Sequence, residues 1–221
     1  KQRSNLFSKL SREITVAAKL GSKDPSSNPR LRTAIQSAKE SNMPKDNIER
    51  AIKKSSTEQS SGYQSFRYEG FGPFNVAFII ETLSNNKNRT ASSLRTIFTK
   101  NDGRLGENGS VSYLFKQLGV IKLDSKLIME DEIFEFAINK GASDFKKNPD
   151  YYEVFTQLKD FYKIKNEFDN KKLKIISSGI EWRPETYIKL NIEQKEQVKK
   201  LLKNLDDNED VQNVFFNCIF E

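Results

Sequence analysis

The sequence predicts an α+β protein: a basic three-helix unit, then two α/β units, the second inserted into the first. Apolar residues recur at helical spacing as far as Lys54. Residues 55–62, SSTEQSSG, have the composition of a linker and end that pattern. From Tyr68 onward the apolar period falls to that of strands, with helical stretches between them.

The first helix is expected over residues 5–20, with Leu6, Leu10, Ile14, Ala17 and Ala18 on one face and Gly21 as its stop. Asn28 and Pro29 read as N-cap and first helical position of a second helix, whose apolar face is Leu31, Ala34, Ile35 and Ala38. A tight turn at Asn42 and Met43 leads to a third helix, with Pro44 in its first turn and Ile48, Ala51 and Ile52 inward.

After the linker, residues 68–84 predict two strands around Gly70, Gly72 and Pro73, the second over 75–82. A helix follows over 88–100, then a hairpin of residues 111–115 and 120–123 turning at Gly119. A ferredoxin-like βαββαβ unit then needs one more helix and one more strand. Residues 130–169 look instead like a separate unit: a helix over 130–140, strands at 143–145 and 151–155, and a helix over 156–169. Residues 173–182 add a strand to it. The amphipathic stretch 192–205, through Val198, Leu201, Leu202 and Leu205, and the strand 211–216 are expected to complete the first sheet. The expected domains are therefore 1–60, a discontinuous 61–124 with 189–221, and an inserted 125–188.

Charge separates these parts. Residues 1–60 hold 13 Lys and Arg against 6 Asp and Glu, a net of +7, while the other 161 residues hold 24 of each. All the excess positive charge lies in the helical unit, which points to a polyanionic partner. The chain has no histidine and one cysteine, Cys218. Triads that use an imidazole base, clustered Cys/His zinc sites and intrachain disulfides are excluded. Cys218 reads as a small apolar filler. No apolar run reaches the roughly 18 residues of a membrane span. No metal or cofactor site is expected, Gly103, Gly106 and Gly109 fit neither a dinucleotide motif nor a P-loop, and scattered carboxylates such as Glu69 and Glu81 give no enzyme reading.

Several stretches resemble the YebC family: LFSKL at 6–10, AAKLG at 17–21, NPRLR at 28–32, NMPKDNI at 42–48, YEGFGP at 68–73, NRT at 88–90 and GRLGENGSV from Gly103. This family includes bacterial probable transcriptional regulators and a mitochondrial translational activator. The resemblance implies a helical domain followed by two α/β domains, and a non-enzymatic role in gene expression through DNA or the ribosome. Two features depart from the family pattern: most of its lysine-rich leader is absent before Lys1, and Ser55 and Ser56 replace the glycine-rich close of the third helix. A cytoplasmic location is expected, or an organellar matrix where a targeting segment has been removed.

The candidate phosphate-binding residues are Lys9, Arg12, Lys19, Arg30, Arg32, Lys39, Lys45, Arg50, Lys53 and Lys54, with Asn88 and Arg89 at the start of a later helix. The plainer alternative is a solvated helix surface in which Asp46 with Arg50 and Glu49 with Lys53 form i,i+4 pairs, and in which Asn88 is a helix cap. The uncompensated charge favours phosphate contact. The favoured partner is ribosomal RNA or the ribosome, because no recognition helix for base edges is evident. Duplex DNA comes second and an acidic protein, met by an adaptor, third. The chain is taken as a monomer.

Overall fold

Three helices open the chain in a computed structural model that describes residues 2–58 and 62–220: α1 (Gln2–Leu20), α2 (Pro29–Glu40) and α3 (Lys45–Lys54). Residues 59–61, part of the expected linker, lie outside the described residues. One side chain closes the end of α1 and the start of α2. The Asn28 Oδ1 accepts from the Leu31 N–H at 3.1 Å, and its Nδ2 donates to the carbonyls of Ala17 (2.9 Å) and Ser22 (2.7 Å). The α2–α3 turn takes its left-handed residue at Asn42 (φ 58°), and the Met43 N–H returns to the Ala38 carbonyl at 2.9 Å. Ile14, Ala17, Leu31, Ala34, Ala38, Met43, Ile48 and Ala51 form the buried core between the helices.

The chain continues through β1 (Gln64–Phe71), β2 (Ala77–Ser84), α4 (Lys87–Lys100), β3 (Arg104–Leu105) and β4 (Phe115–Asp124). Next come α5 (Glu130–Asn139), β5 (Asp144–Lys147), β6 (Tyr151–Thr156), α6 (Phe161–Asn170) and β7 (Ile175–Pro184). It closes with β8 (Ile188–Lys189), α7 (Ile192–Asp206), β9 (Val211–Phe216) and β10 (Cys218–Ile219). Two units result, residues 1–115 with 184–221, and residues 116–183.

In the first unit the sheet order is β3-β1-β2-β9, every pair antiparallel. The strands β2 and β3 flank β1 and are joined through α4, and β9 lies on the far side of β2. That is the ferredoxin-like arrangement in space. Its chain order differs from the expected βαββαβ because β1, which separates the strands of the crossover, precedes it. Leu94 and Phe98 of α4 and Val198, Leu201 and Leu205 of α7 bury the face made by Tyr68, Val76, Phe78 and Ile80. Phe78 meets Phe98 edge to face at 5.9 Å.

The expected hairpin around Gly119 does not form. Residues Ser112–Leu114 make a short 3₁₀ turn, and β4 runs straight through Gly119. This glycine serves close packing rather than a turn, since a Cβ there would lie 2.1 Å from Thr156 Oγ1 and 2.6 Å from Phe161 Cδ2. The second unit has the sheet order β5-β6-β4-β7, and α5 and α6 bury Ile133, Ala137, Phe161, Ile164 and Phe168 against Ile121, Leu123 and Val154. The helix expected from residue 156 starts at Phe161, because β6 runs through Thr156 and a 3₁₀ turn follows.

Cys218 pairs with Ile188 in a short parallel ladder and is buried in the core of the first unit. Burial pushes its thiol up to about 11. At pH 8 the folded protein is therefore expected to react with Ellman's reagent on the order of 100-fold more slowly than the denatured chain. Equal rates in the two states would contradict this.

Candidate nucleic-acid interface

The basic residues singled out from the sequence divide into an inward and an outward set. Arg12, Lys9 and Arg89 turn inward, toward the segment that joins α7 to β9. The Arg12 Nη1 donates to Asp210 Oδ1 (2.9 Å) and to the carbonyls of Leu83 (2.9 Å) and Glu209 (2.8 Å), while its guanidinium lies 4.8 Å from the Tyr63 ring centroid. The Arg89 Nη2 reaches both Asp210 oxygens, at 3.1 and 3.0 Å, and Thr90 Oγ1 donates to Oδ2 at 2.7 Å. Lys9 is buried, with Nζ 3.1 Å from Asp206 Oδ1.

These contacts tie α1 and α4 to the end of α7 and the turn that leads into β9. Burial alone would raise the Asp210 carboxyl, but hydrogen bonds from Thr90, Arg89 and Arg12 outweigh it and hold the group below the usual carboxylate range. Lys9 and Arg12, expected to follow a phosphate backbone, are thus occupied within the protein, and Arg89 is tied to Asp210. A cleft of about 400 Å³ at this junction is lined by Arg12, Arg89, Glu209 and Asp210, so its two cations face two carboxylates. Helical spacing placed Lys9 and Arg12 off the apolar stripe. Their partners lie almost two hundred residues away, and the one signal for them was the acidic run DDNED at 206–210.

The outward set lies on the helical unit. Lys39 near the end of α2, and Lys53 and Lys54 in the last turn of α3, are exposed, and their side chains have no hydrogen bond or ion pair among the described residues. Lys19 is exposed in the last turn of α1. Lys45 stands 3.6 Å from Glu49 with both groups in solvent, a pair of little strength. Arg50 is exposed and donates to Asn47 Oδ1 at 2.8 Å. Arg30 and Arg32 are more committed: Arg30 forms a two-point pair with Glu13 (2.8 and 3.1 Å), and Arg32 donates to the Pro25 carbonyl at 3.0 Å. The uncommitted charge thus concentrates on α3 and the end of α2.

At the start of α4 the cap is Asn86, whose Oδ1 accepts from the Arg89 N–H at 3.0 Å, and not Asn88. Asn88 is exposed inside the first turn.

Two carboxylates on the sheet have structural roles that their scatter in the sequence concealed. Glu69 is fully buried and accepts from the N–H groups of Gly109 (2.8 Å), Val111 (3.1 Å) and Ser112 (2.7 Å). Burial would raise its carboxyl, yet these donors hold it below its ordinary range. Glu81 shows the reverse, since burial first, and then the nearby Glu13, push it up against the attraction of Arg67 and Arg30. A carboxyl raised in the folded state costs stability from its unfolded pKa upward, in full above the folded pKa, and the cost vanishes where both states are protonated. Glu81→Gln is therefore expected to raise Tm at pH 7, with the gain fading as the pH falls through the raised pKa. An unchanged Tm at pH 7 would contradict this.

No group of three or more metal-ligating side chains occurs among the described residues. Residues 1–58 match the TACO1/YebC protein N-terminal domain, and residues 63–218 match the TACO1/YebC second and third domain. A probable transcriptional regulatory protein of Pelagibacter ubique (strain HTCC1062) is 49% identical over 221 residues, covering 100% of this chain and 92% of the relative. The crystal structure of a conserved hypothetical protein from Aquifex aeolicus superposes with a TM-score of 0.88 at 40% identity, covering 99% of this chain and 91% of the other.

Proposed function

The chain belongs to the TACO1/YebC family, and from that premise we propose that it is a non-catalytic, nucleic-acid-binding regulator of gene expression that works on ribosomal RNA or the ribosome. The observation that carries this is the set of uncommitted cations Lys39, Lys53 and Lys54, beside the exposed Lys19, Lys45 and Arg50, in the only part of the chain with excess charge. Cations spread over three helices follow a folded phosphate backbone, whereas reading a duplex calls for one helix that lays several side chains along base edges. On this reading the α/β parts, residues 61–124 with 189–221 and residues 125–188, dock on the folded partner. No described helix is long and apolar enough to cross a membrane. The proposed place of action is the cytoplasm or an organellar matrix.

A second reading, duplex DNA, is favoured by the name of the Pelagibacter relative as a probable transcriptional regulatory protein. Co-sedimentation with ribosomes, run beside binding to a promoter-length duplex over a salt series, separates the two. Salt-sensitive co-sedimentation with weaker duplex binding is the expected result. Tighter binding to the duplex would favour DNA, and no binding to either would leave an adaptor for an acidic protein.

A further inference from the structure

The loop between β3 and β4 carries large exposed groups on an unusually firm base. Its backbone is clamped from beneath by Glu69, which takes the N–H groups of Gly109, Val111 and Ser112, and the Gly106 N–H donates to the Glu69 carbonyl at 2.8 Å. Gly109, at φ 92°, supplies the left-handed residue that lets these donors converge on one carboxylate. A buried charged acceptor with several such bonds makes a strong fastening.

On this base Tyr113 is 70% exposed, and its side chain has no ring or hydrogen-bond partner among the described residues. The segment between β7 and β8 meets the end of the loop, because the Glu185 N–H donates to the Leu114 carbonyl at 3.0 Å, and that segment carries Tyr187, 49% exposed. The Asn108 amide is also in solvent, with no partner among the described residues. Leaving two tyrosine rings in water forgoes the stabilisation that burial would give them. Holding their backbone fixed lowers the entropy cost of a later contact.

We infer that Tyr113, with Tyr187 and the Asn108 amide, forms a stacking site for an unpaired base of single-stranded or looped RNA. The chemistry fits a base more closely than a phosphate: the rings match a π face, the amide offers a donor and an acceptor to a base edge, and the loop itself carries no cation, its one charged residue being Glu107 next to Arg104 of β3. The inference rests on the nucleic-acid reading above and adds a base contact to the phosphate contacts of the helical unit. An exposed ring can also serve a protein partner, and the test includes that outcome.

The test compares the full-length protein, Tyr113→Ala and Tyr113→Phe for binding to a labelled single-stranded RNA and to a fully paired hairpin with the same number of phosphates. Tyr113→Ala is expected to weaken single-strand binding by about 5- to 100-fold. It should leave the hairpin and the salt slope unchanged, and Tyr113→Phe should bind as the parent does. If Tyr113→Ala binds the single strand normally while Lys53→Glu weakens it, the stacking site is wrong and the phosphate reading stands. If the parent binds no nucleic acid, both readings fall. If Tyr113→Ala loses ribosome co-sedimentation with RNA affinity unchanged, the ring meets a protein and the inference is overturned.

Discussion

Asp210→Ala is expected to destabilise the protein by about 3 to 5 kcal/mol, the cost of removing one partner from a buried ion pair. The carboxylate accepts from Arg12, Arg89 and Thr90, and its side chain is only 9% exposed. The loss is expected to come mainly through Arg12, whose side chain is 15% exposed, and less through Arg89, which is 53% exposed and can be hydrated once released. Double-mutant cycles should therefore give a larger coupling for Arg12 with Asp210 than for Arg89 with Asp210. Because the folded pKa of Asp210 is depressed, its contribution is present above the unfolded carboxylate pKa of about 3.9 and is lost as the pH falls through the folded value. The parent and variant stabilities should converge in acid. A deficit that persists below the folded pKa would show that the loss is one of packing and not of charge.

Reversing Lys39, Arg50, Lys53 and Lys54 together to glutamate is expected to weaken RNA binding by about 100-fold near physiological salt, from the loss of several phosphate contacts. All four side chains are exposed, and none is in the buried core of the helical unit, so the fold should survive. Circular dichroism and thermal melting check that point. The matching reversal of Lys9 or Arg12 is expected to act differently, lowering stability first, because each is tied to the segment that joins α7 to β9. A variant that binds normally would show that RNA meets some other face.

The helical unit was legible in the sequence because its rules are local. Asn28, Pro29 and the turn at Asn42 mark boundaries through their own backbone chemistry, and α2 and α3 run from Pro29 to Glu40 and from Lys45 to Lys54. The pairing of β9 with β2 followed from what the first sheet lacked. What escaped was non-local. Gly119 looked like a turn because glycine marks both turns and tight contacts, and only the approach of Thr156 and Phe161 separates the two. The short strand Arg104–Leu105 has too few residues to show any period. Among the cations, spacing separated solvent from core but could not reveal that Lys9 and Arg12 face Asp206 and Asp210 from the other end of the chain. Tyr68 and Phe78 are core residues, while the exposed Tyr113 follows a glycine-rich loop whose clamp, Glu69, is on another strand.

The most direct test of phosphate gripping by the helical unit is the salt dependence of RNA binding for the parent and the four-residue variant. Six contacts, from Lys19, Lys39, Lys45, Arg50, Lys53 and Lys54, predict that log K falls against log salt with a slope of about -4 on single-stranded RNA. The variant, left with two of those contacts, should fall with a slope of about -1. Equal slopes for the two proteins, or a parent slope near zero, would contradict the account.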